Sequence, residues 1–437
     1  MTKQASLFVQ DPNRIPAGRY FDEEFFALES DKVWKHSWQP ACHLDEIPNV
    51  GDFREYRILD QSFLIVRETP ESIKAFRNAC RHRATALGTG SGSFKNKQIT
   101  CPFHGWRYGL DGSIAFAYGG KFFPPDCMNR EELKLREIRV GVRYGFVWIN
   151  PDPGKQAFED AFHGVETVLD PVRLDLMHVE WWHRIEMEGN WKVAQEAFFE
   201  SFHQMQTHPE VVKFKRDNEV NFELQANYTT DPQGHGWLSD DNRGDHPDSS
   251  FMEYVKGMSP AEFMINTQRV MWEGSRSIVT QWQVDIANQL LERGVSYDEF
   301  LPVYVGEVYA EAGRRNVPLP APNPNATSHC TIFPNFTLVA GLGTALIYRS
   351  RPLTPNSCEY DIWSLSIRGE GEEIPRAVEG MGAPWEEHWF VHQDVSNIEL
   401  QQIGLRTDGF GATRLSPRLE AMISNWHLAL DRRLKEP

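Results

Sequence analysis

Cysteine is scarce in this sequence. Six in 437 residues are too few for a disulfide scaffold. Basic charge is in deficit as well, with 45 Lys and Arg against 61 Asp and Glu, a formal net charge of −16. That balance excludes a nucleic acid or an anionic membrane held by bulk electrostatics. No run approaches the roughly 18 uncharged apolar residues of a spanning helix. The opening residues 1–6 lead straight to Asp11 and Arg14 without the apolar stretch of a signal peptide. The expectation is a soluble cytoplasmic protein with no nucleic-acid and no membrane partner. A G-x-G-x-x-G fingerprint is missing too, so no nicotinamide or flavin site of that kind is expected. Gly341-Leu342-Gly343 is a three-residue echo that reads as a strand turn. What the chain has in quantity is aromatic side chains, 12% of residues with 14 Trp, which need an apolar core or pocket to receive them.

The length suggests two to three domains. A short helix is expected over 21–35, with Asp22-Glu23-Glu24 at its N-terminus. From Trp38 to Asn150 the chain reads as short β runs between turns, among them Phe63-Leu64-Ile65-Val66-Arg67, Val140-Gly141-Val142 and Gly145-Phe146-Val147-Trp148-Ile149. Leu110-Asp111-Gly112-Ser113 carries an Asp-Gly hairpin signal. Beyond it, helices are expected over 191–207, 260–270 and 384–402, and antiparallel strands over 337–351 and 358–367 with a turn at 353–356. Residues 234–250 read as a polar loop. The alternating Pro318, Pro320, Pro322 and Pro324 exclude a helix there. The expected class is α+β, a small β-rich domain inserted into a larger domain whose central antiparallel sheet is flanked by helices. The expected boundaries are an N-terminal helical segment over 1–35, the β-rich domain over 36–152 and the larger domain over 153–437.

Two groups of residues carry chemistry. The first is Cys80-Arg81-His82 followed, after 18 residues, by Cys101-Pro102-Phe103-His104. Two thiolates and two imidazoles from two turns make a four-ligand set for zinc or iron–sulfur. Zinc knuckles usually carry like ligands. Here each knuckle carries one Cys and one His, as a Rieske [2Fe–2S] centre needs, with both thiolates on one iron and both imidazoles on the other. Cys42, Cys127, Cys330 and Cys358 lack the pattern, and the adjacent pairs Cys42-His43 and His329-Cys330 read as core residues.

The second group follows Asn190, an N-cap candidate for a helix over 191–207. At about 100° per residue, Phe198, Phe202 and Met205 share one face and Glu196, Glu200 and His203 the opposite one. His208 sits beside Pro209, where the helix should end, so His203 and His208 converge only if the last turn loosens. Two His and one carboxylate on one side of a metal form the facial triad of non-haem Fe(II) oxygenases. A solvated polar stripe is the plain alternative for such a segment taken alone.

Together these words resemble the large α subunit of the Rieske-type aromatic-ring-hydroxylating oxygenases. The resemblance rests on Trp38-Gln39-Pro40, Gly51-Asp52, Asn78-Ala79-Cys80-Arg81-His82-Arg83 and Cys101-Pro102-Phe103-His104-Gly105-Trp106-Arg107-Tyr108, then Asn190-Trp191-Lys192, Glu196 to His203 and His208-Pro209. Ala84 departs from the glycine usual in the family. The resemblance implies a Rieske [2Fe–2S] cluster on Cys80, His82, Cys101 and His104, and a mononuclear Fe(II) on His203, His208 and a distal Asp. For that Asp it points to Asp394, ahead of Glu399 and of Glu386 or Glu387; His388 and His392 are then structural or substrate-facing. It makes Glu200 the bridge that carries electrons between a cluster in one subunit, through His104, and the iron of the next, through His203. Glu196 is either a second polar neighbour of the iron or a buried hydrogen-bonding residue. The implied activity uses O2 and electrons from NAD(P)H, relayed by a separate flavin reductase with or without a ferredoxin, to hydroxylate a small aromatic or apolar ring compound. A demethylase or quaternary-ammonium monooxygenase is the alternative, and a Rieske electron carrier without catalysis is the alternative of another class. A homotrimer is expected; some relatives add a β subunit to each α, and the sequence does not decide between the two arrangements. Phe214, Trp237, Met252, Phe263, Phe336 and Trp389 are pocket candidates.

Overall fold

The β runs between Trp38 and Asn150 become strands where apolar side chains can close on one core. The computed structural model describes residues 4–154, 156–210, 226–241 and 260–436. The described chain is α+β and divides into two compact units. One is Ser30–Ala161 with Ile374–Val378; the other is Met1–Glu29, Phe162–Glu373 and Glu379–Pro437.

The first unit holds three small antiparallel sheets. Gln61–Arg67 pairs with Ile73–Arg77 on one side and Asp52–Ile58 on the other, and Asp52–Ile58 also pairs with Ser91–Ser93. Phe146–Asn150 lies between Gln39–His43 and Arg139–Arg143. Arg107–Gly109 lies between Gln98–Thr100 and Ile114–Phe116. The turn at Asp111-Gly112 needs its glycine: φ is +81°, and a Cβ there would sit 2.5 Å from the Phe76 ring. One core contains Phe53, Leu64, Phe76, Trp106 and Tyr108 together with both Cys80 and Cys101. A strap from far along the chain completes the unit. Ala377 N–H donates to the Asp45 carbonyl at 2.8 Å, and the Arg376 guanidinium reaches Asp52 Oδ1 at 3.2 Å and the carbonyls of Glu46 and Gly92.

The second unit is built on a seven-stranded antiparallel sheet. Its spatial order is Met177–Met187, Ser357–Ile367, Thr344–Thr354, Phe336–Gly341, His329–Ile332, Gly236–Asp241 and Ala226–Thr230. The long strands Thr344–Thr354 and Ser357–Ile367 are joined by the tight turn at Pro355-Asn356. Leu342-Gly343 turns the hairpin before them, with Gly343 at φ +73°. Helices Pro260–Ser275, Gln281–Glu292, Tyr297–Arg314, Trp389–Leu405 and Ala421–Lys435 accompany the sheet. The C-terminal helix closes on the N-terminal segment: Asp431 receives the Arg19 Nη1 at 2.5 Å and the Val9 N–H at 2.7 Å. No helix among the described residues is long and apolar enough to cross a membrane.

Several expectations are corrected. Residues 234–250 are not a loop throughout, because Gly236–Asp241 is a strand paired with both neighbours; 242–250 lie outside the described residues. Polar side chains on one face of an edge-proximal strand look like a loop in sequence. The helix expected over 191–207 is broken. Trp191–Glu196 and Gln204–Thr207 are helical, and the residues between turn away. The N-cap is as expected, with Asn190 Oδ1 accepting from Lys192 N–H at 3.0 Å. The 384–402 helix starts later, at Trp389, and runs to Leu405.

Candidate metal centres

The two Cys–His loops of the first unit repeat one backbone pattern. Cys80 N–H donates to the Thr85 carbonyl at 2.9 Å, and Cys101 N–H to the Trp106 carbonyl at 2.8 Å. Ala84 N–H returns to the Cys80 carbonyl at 2.9 Å, and Gly105 N–H to the Cys101 carbonyl at 3.1 Å. The fourth residue after each Cys is left-handed, Ala84 at φ +60° and Gly105 at +66°. The loop therefore demands a conformation that glycine holds freely and alanine holds at a cost of about 1 kcal/mol. This is where Ala84 departs from the usual glycine.

The loops bring His82 and His104 together with ring centroids 4.6 Å apart. Trp106 stacks on His82 at 4.8 Å. Tyr108 accepts from Arg81 N–H at 3.0 Å, which directs its hydroxyl to Cys80 Sγ at 3.2 Å. Burial raises the Cys80 thiol above its ordinary range, and burial followed by the charges of His104 and Arg83 lowers His82. The His82 Nδ1 is buried with no hydrogen-bond partner among the described residues. Two buried thiols, a neutral imidazole with an orphaned nitrogen and a second imidazole at its side fit an iron–sulfur cluster.

In the second unit, the break after Glu196 is what lets His203 and His208 face one point. His203, His208 and Asp394 offer ligand atoms that all lie within 4.8 Å of one another. His203 Nε2 is 3.6 Å from Asp394 Oδ1, and His208 Nε2 is 3.0 Å from it. Each imidazole is fixed through its other nitrogen. His203 Nδ1–H donates to Glu200 Oε1 at 2.8 Å, and Glu200 Oε2 takes the His203 backbone N–H at 3.0 Å. His208 Nδ1–H donates to Gln393 Oε1 at 2.7 Å, and Gln393 Nε2 donates onward to Glu210 at 3.1 Å. Phe390 stacks on His208 at 3.7 Å. With Nδ1 as donor, the His208 Nε2 lone pair faces a carboxylate oxygen. His208 Nε2 and Asp394 Oδ2 are both buried and have no hydrogen-bond partner among the described residues. Apposed acceptors of this kind fit a cation between them.

A cavity of about 200 Å³ opens on this point. Beyond the three converging side chains its described lining is mixed, with the rings of Phe198, Tyr228, Tyr348 and Phe390 and the aliphatic Leu238, Met271, Ile278 and Val339 beside the polar Glu200, Ser201, Gln204, Ser328 and His329. Burial holds the Tyr348 phenol well above its ordinary value and His329 below its own, so both are neutral walls. Sequence reading missed His329, Gln393 and the four rings. Only Gln393, next to Asp394 in the same motif, carried a signal. Among the pocket candidates, Trp237, Phe336 and Trp389 do not line this cavity, Phe214 and Met252 lie outside the described residues, and so does the side chain of Phe263.

The remaining candidates lie elsewhere. Glu399 accepts from the Glu188 backbone N–H at 3.3 Å, and Glu386 and Glu387 are exposed in the short turn Trp385–Glu387. His388 Nδ1–H donates to the Ser275 carbonyl at 3.1 Å; the His392 ring lies 4.7 Å from Trp385. Glu196 is not on the iron side, because the helix that would align it with His203 has ended. It is buried between Tyr20, whose hydroxyl reaches it at 3.0 Å, and His427 Nε2 at 2.8 Å. Burial pushes Glu196 up to about 8 and His427 well below its ordinary value, so the pair is neutral at pH 7. The folded state therefore keeps a proton on Glu196 that the unfolded chain loses near 4.5. Stability from this group is complete below that value and falls as pH rises toward about 8, by up to about 1.4 kcal/mol per pH unit. Glu196→Gln is expected to flatten the decline in melting temperature over that window. Parallel wild-type and variant slopes would show that Glu196 does not hold the proton.

Both parts of the chain are similar to known proteins. Residues 174–436 match the family model for the ring hydroxylating alpha subunit (catalytic domain), and residues 37–117 match that for the Rieske [2Fe-2S] domain. The carnitine monooxygenase oxygenase subunit of Escherichia coli (strain K12) is 30% identical over 207 residues, covering 46% of this chain and 53% of that protein. The glycine betaine monooxygenase oxygenase subunit of Chromohalobacter salexigens is 30% identical over 203 residues, 46% of this chain and 45% of that one. The chain thus spans about half the length of the curated relatives it matches. Among solved structures, a quaternary ammonium Rieske monooxygenase in complex with L-carnitine superposes with a TM-score of 0.65 at 17% identity, covering 98% of this chain and 99% of that one. Naphthalene 1,2-dioxygenase with indole bound gives 0.64 at 18%, covering 98% and 94%.

Proposed function

The chain belongs to the family of ring-hydroxylating α subunits with a Rieske domain, and from that premise we propose that it is a terminal oxygenase that hydroxylates a small substrate at His203, His208 and Asp394. The observation that carries the reading is the convergence of those three side chains, two of them with buried atoms unpartnered among the described residues, on a cavity that four aromatic rings help to wall. Cys80, His82, Cys101 and His104 are the proposed cluster ligands. When bound, the cluster supplies single electrons and the Fe(II) supplies a site for O2.

The chain's own part is positional. Glu200 and Gln393 hold the two imidazoles with their Nε2 lone pairs inward. Phe390 covers His208, and the apolar walls keep bulk water from the reacting carbon. Glu200 is the proposed bridge to His104 of a neighbouring copy in a homotrimer. Exposed apolar residues on the Rieske unit, Phe103 at 58%, Tyr118 at 67% and Phe122 at 80%, support burial of that surface in an assembly. Electrons are proposed to come from NAD(P)H through a separate reductase, with or without a ferredoxin.

The cavity favours an apolar or aromatic reacting end, because no Lys or Arg stands among its described lining residues. A quaternary ammonium substrate is the second reading. The similarity to carnitine and glycine betaine monooxygenases favours it, and the four ring faces suit a cation. Turnover with NADH and a surrogate reductase separates the two: a phenol or dihydrodiol from an aromatic panel, or an aldehyde with a dealkylated amine from a quaternary ammonium panel. Iron-replete protein that oxidises neither panel yet passes electrons to an acceptor would overturn both in favour of an electron carrier.

A further inference from the structure

Two phenols line the iron cavity, and they are not equivalent. Tyr228 has its hydroxyl against the Ser201 hydroxyl at 3.2 Å. Tyr348 is 2% exposed, and its hydroxyl bonds to no described residue. The nearby Tyr360 hydroxyl is sealed from every surface. The Tyr348 hydroxyl is not sealed, and the little surface that Tyr348 keeps opens on this cavity. A phenol is protonated at pH 7, and burial moves Tyr348 further in that direction. It is also a better donor than acceptor, because its oxygen lone pair is shared with the ring.

The strand fixes where that hydroxyl goes. Side chains alternate along Thr344–Thr354. Arg349 and Arg351 lie on the face opposite Tyr348 and meet Asp361 at 2.7 and 3.3 Å. Ser350, on the Tyr348 face, donates to Gln195 Oε1 at 2.9 Å. A one-residue slip would break all three bonds, so the register holds Tyr348 on the cavity side. Thr337 lies opposite Tyr348, Val339 opposite Leu346 and His329 opposite Val339, which places His329, Val339 and Tyr348 on one face. Phe198 stacks on the Tyr348 ring with centroids 3.9 Å apart and planes at 22°. The Phe198 carbonyl in turn takes the His329 Nε2–H. With one ring face covered in this way, the phenol stays directed into the cavity.

The other polar walls differ from it. Ser328 is exposed and Gln204 half-buried, so solvent serves both. Water can serve the Tyr348 hydroxyl only while the cavity is open to it. A ligand that fills the cavity displaces that water, and one without an acceptor leaves the hydroxyl unpaired. A site of this kind rejects an analogue that lacks the matching group. The volume of about 200 Å³ suits one aromatic ring with a small substituent. No Lys or Arg stands among the described lining residues, which favours a neutral acceptor over a carboxylate.

We propose that Tyr348 selects the substrate, its hydroxyl donating a hydrogen bond to a neutral oxygen acceptor (a ketone, amide or ether) carried on a single aromatic ring. The inference rests on the oxygenase reading in calling that ligand a substrate, and on the cavity alone in saying what binds. Because the bond holds the substituent at Tyr348, it also sets which part of the ring is turned toward His203, His208 and Asp394.

The test uses the full iron-replete chain, oxidised and without reductant, with acetophenone as probe and α-methylstyrene as the isostere in which the oxygen becomes a methylene. Calorimetry gives the ratio of their dissociation constants. Tyr348→Phe is expected to shift that ratio about tenfold toward the hydrocarbon. Tyr360→Phe, which removes a hydroxyl that does not reach the cavity, should leave it unchanged. Cluster absorbance and melting temperature verify that both variants fold. A second readout needs no variant: the infrared carbonyl stretch of bound, carbonyl-labelled acetophenone should lie below its value in hexane. In Tyr348→Phe it should return toward that value. An unchanged ratio in folded Tyr348→Phe, an unshifted carbonyl in wild type, an equally lowered carbonyl in both proteins, or no saturable binding of acetophenone at millimolar concentration would each overturn the proposal. The oxygenase reading is judged apart from this. A ratio shift without any turnover in the coupled assay would leave the Tyr348 contact standing and count against catalysis; turnover without a ratio shift would do the reverse.

Discussion

His208→Ala is expected to strip the mononuclear iron from the protein, abolish product formation and leave the red-brown colour of the cluster unchanged. His208 is fully buried, its Nδ1–H is committed to Gln393 and its Nε2 points at Asp394. No other described residue can replace that nitrogen: only His203 and Asp394 share the point with it. Removing it leaves a two-ligand site and a Gln393 carbonyl without its donor. Turnover should fall about 10³-fold or more, since O2 chemistry needs the metal. Asp394→Ala should behave alike. The measurement is iron and acid-labile sulfide per chain, with an absorption spectrum and a coupled assay. A His208→Ala protein that keeps its full iron content and turns over normally would show the triad to be misassigned.

Cys101→Ser should give the opposite pattern: colour and sulfide lost, mononuclear iron retained, turnover from reductase below detection. Cys101 lies 2% exposed in one core with Cys80, Trp106 and Tyr108. A serine hydroxyl there is a poor ligand for the cluster iron and an unsatisfied polar group in its absence. Burial already raises the Cys80 thiol, so cluster assembly must displace a proton from it and becomes harder as pH falls. The Rieske unit should also lose melting temperature, because the cluster ties its two loops. A Cys101→Ser protein that holds the same absorption bands as wild type would remove the cysteine from the ligand set. The two variants dissociate cluster from iron in opposite senses, which no general folding defect can imitate.

The residues of both candidate centres were legible because ligand chemistry is written in short words. Cys-x-His and Cys-x-x-His need only local turns, and the paired loops around Cys80 and Cys101 are closed by their own backbones. The strands between Trp38 and Asn150 were legible for a related reason, as short alternating runs between turn residues. What failed was long-range. A helix through residue 200 follows from periodicity, yet the chain breaks there. The buried bond of Glu196 to Tyr20 and His427, 176 and 231 residues away, fixes the first segment apart from the second. The helices Gln281–Glu292 and Tyr297–Arg314 were passed over. The first is announced by a capping box, Thr280 with Gln283. The second carries Pro302 in its interior, which argues against a helix until tertiary packing overrides it. The walls of the iron cavity come from strands whose order in space, not in sequence, puts Tyr228, His329, Val339 and Tyr348 on one side.

The interleaving of the two units sets an order of events during synthesis. Residues 30–161 leave the ribosome together and contain all four proposed cluster ligands, lacking only the strap Ile374–Val378. The larger unit cannot close until Asp431 exists to meet Arg19, an arginine with no exposed surface on its side chain. Iron–sulfur loading can therefore precede iron binding in the life of each chain. A chain that stops before the last helix would leave Arg19 without the Asp431 carboxylate, and a buried charge left without its partner costs several kcal/mol.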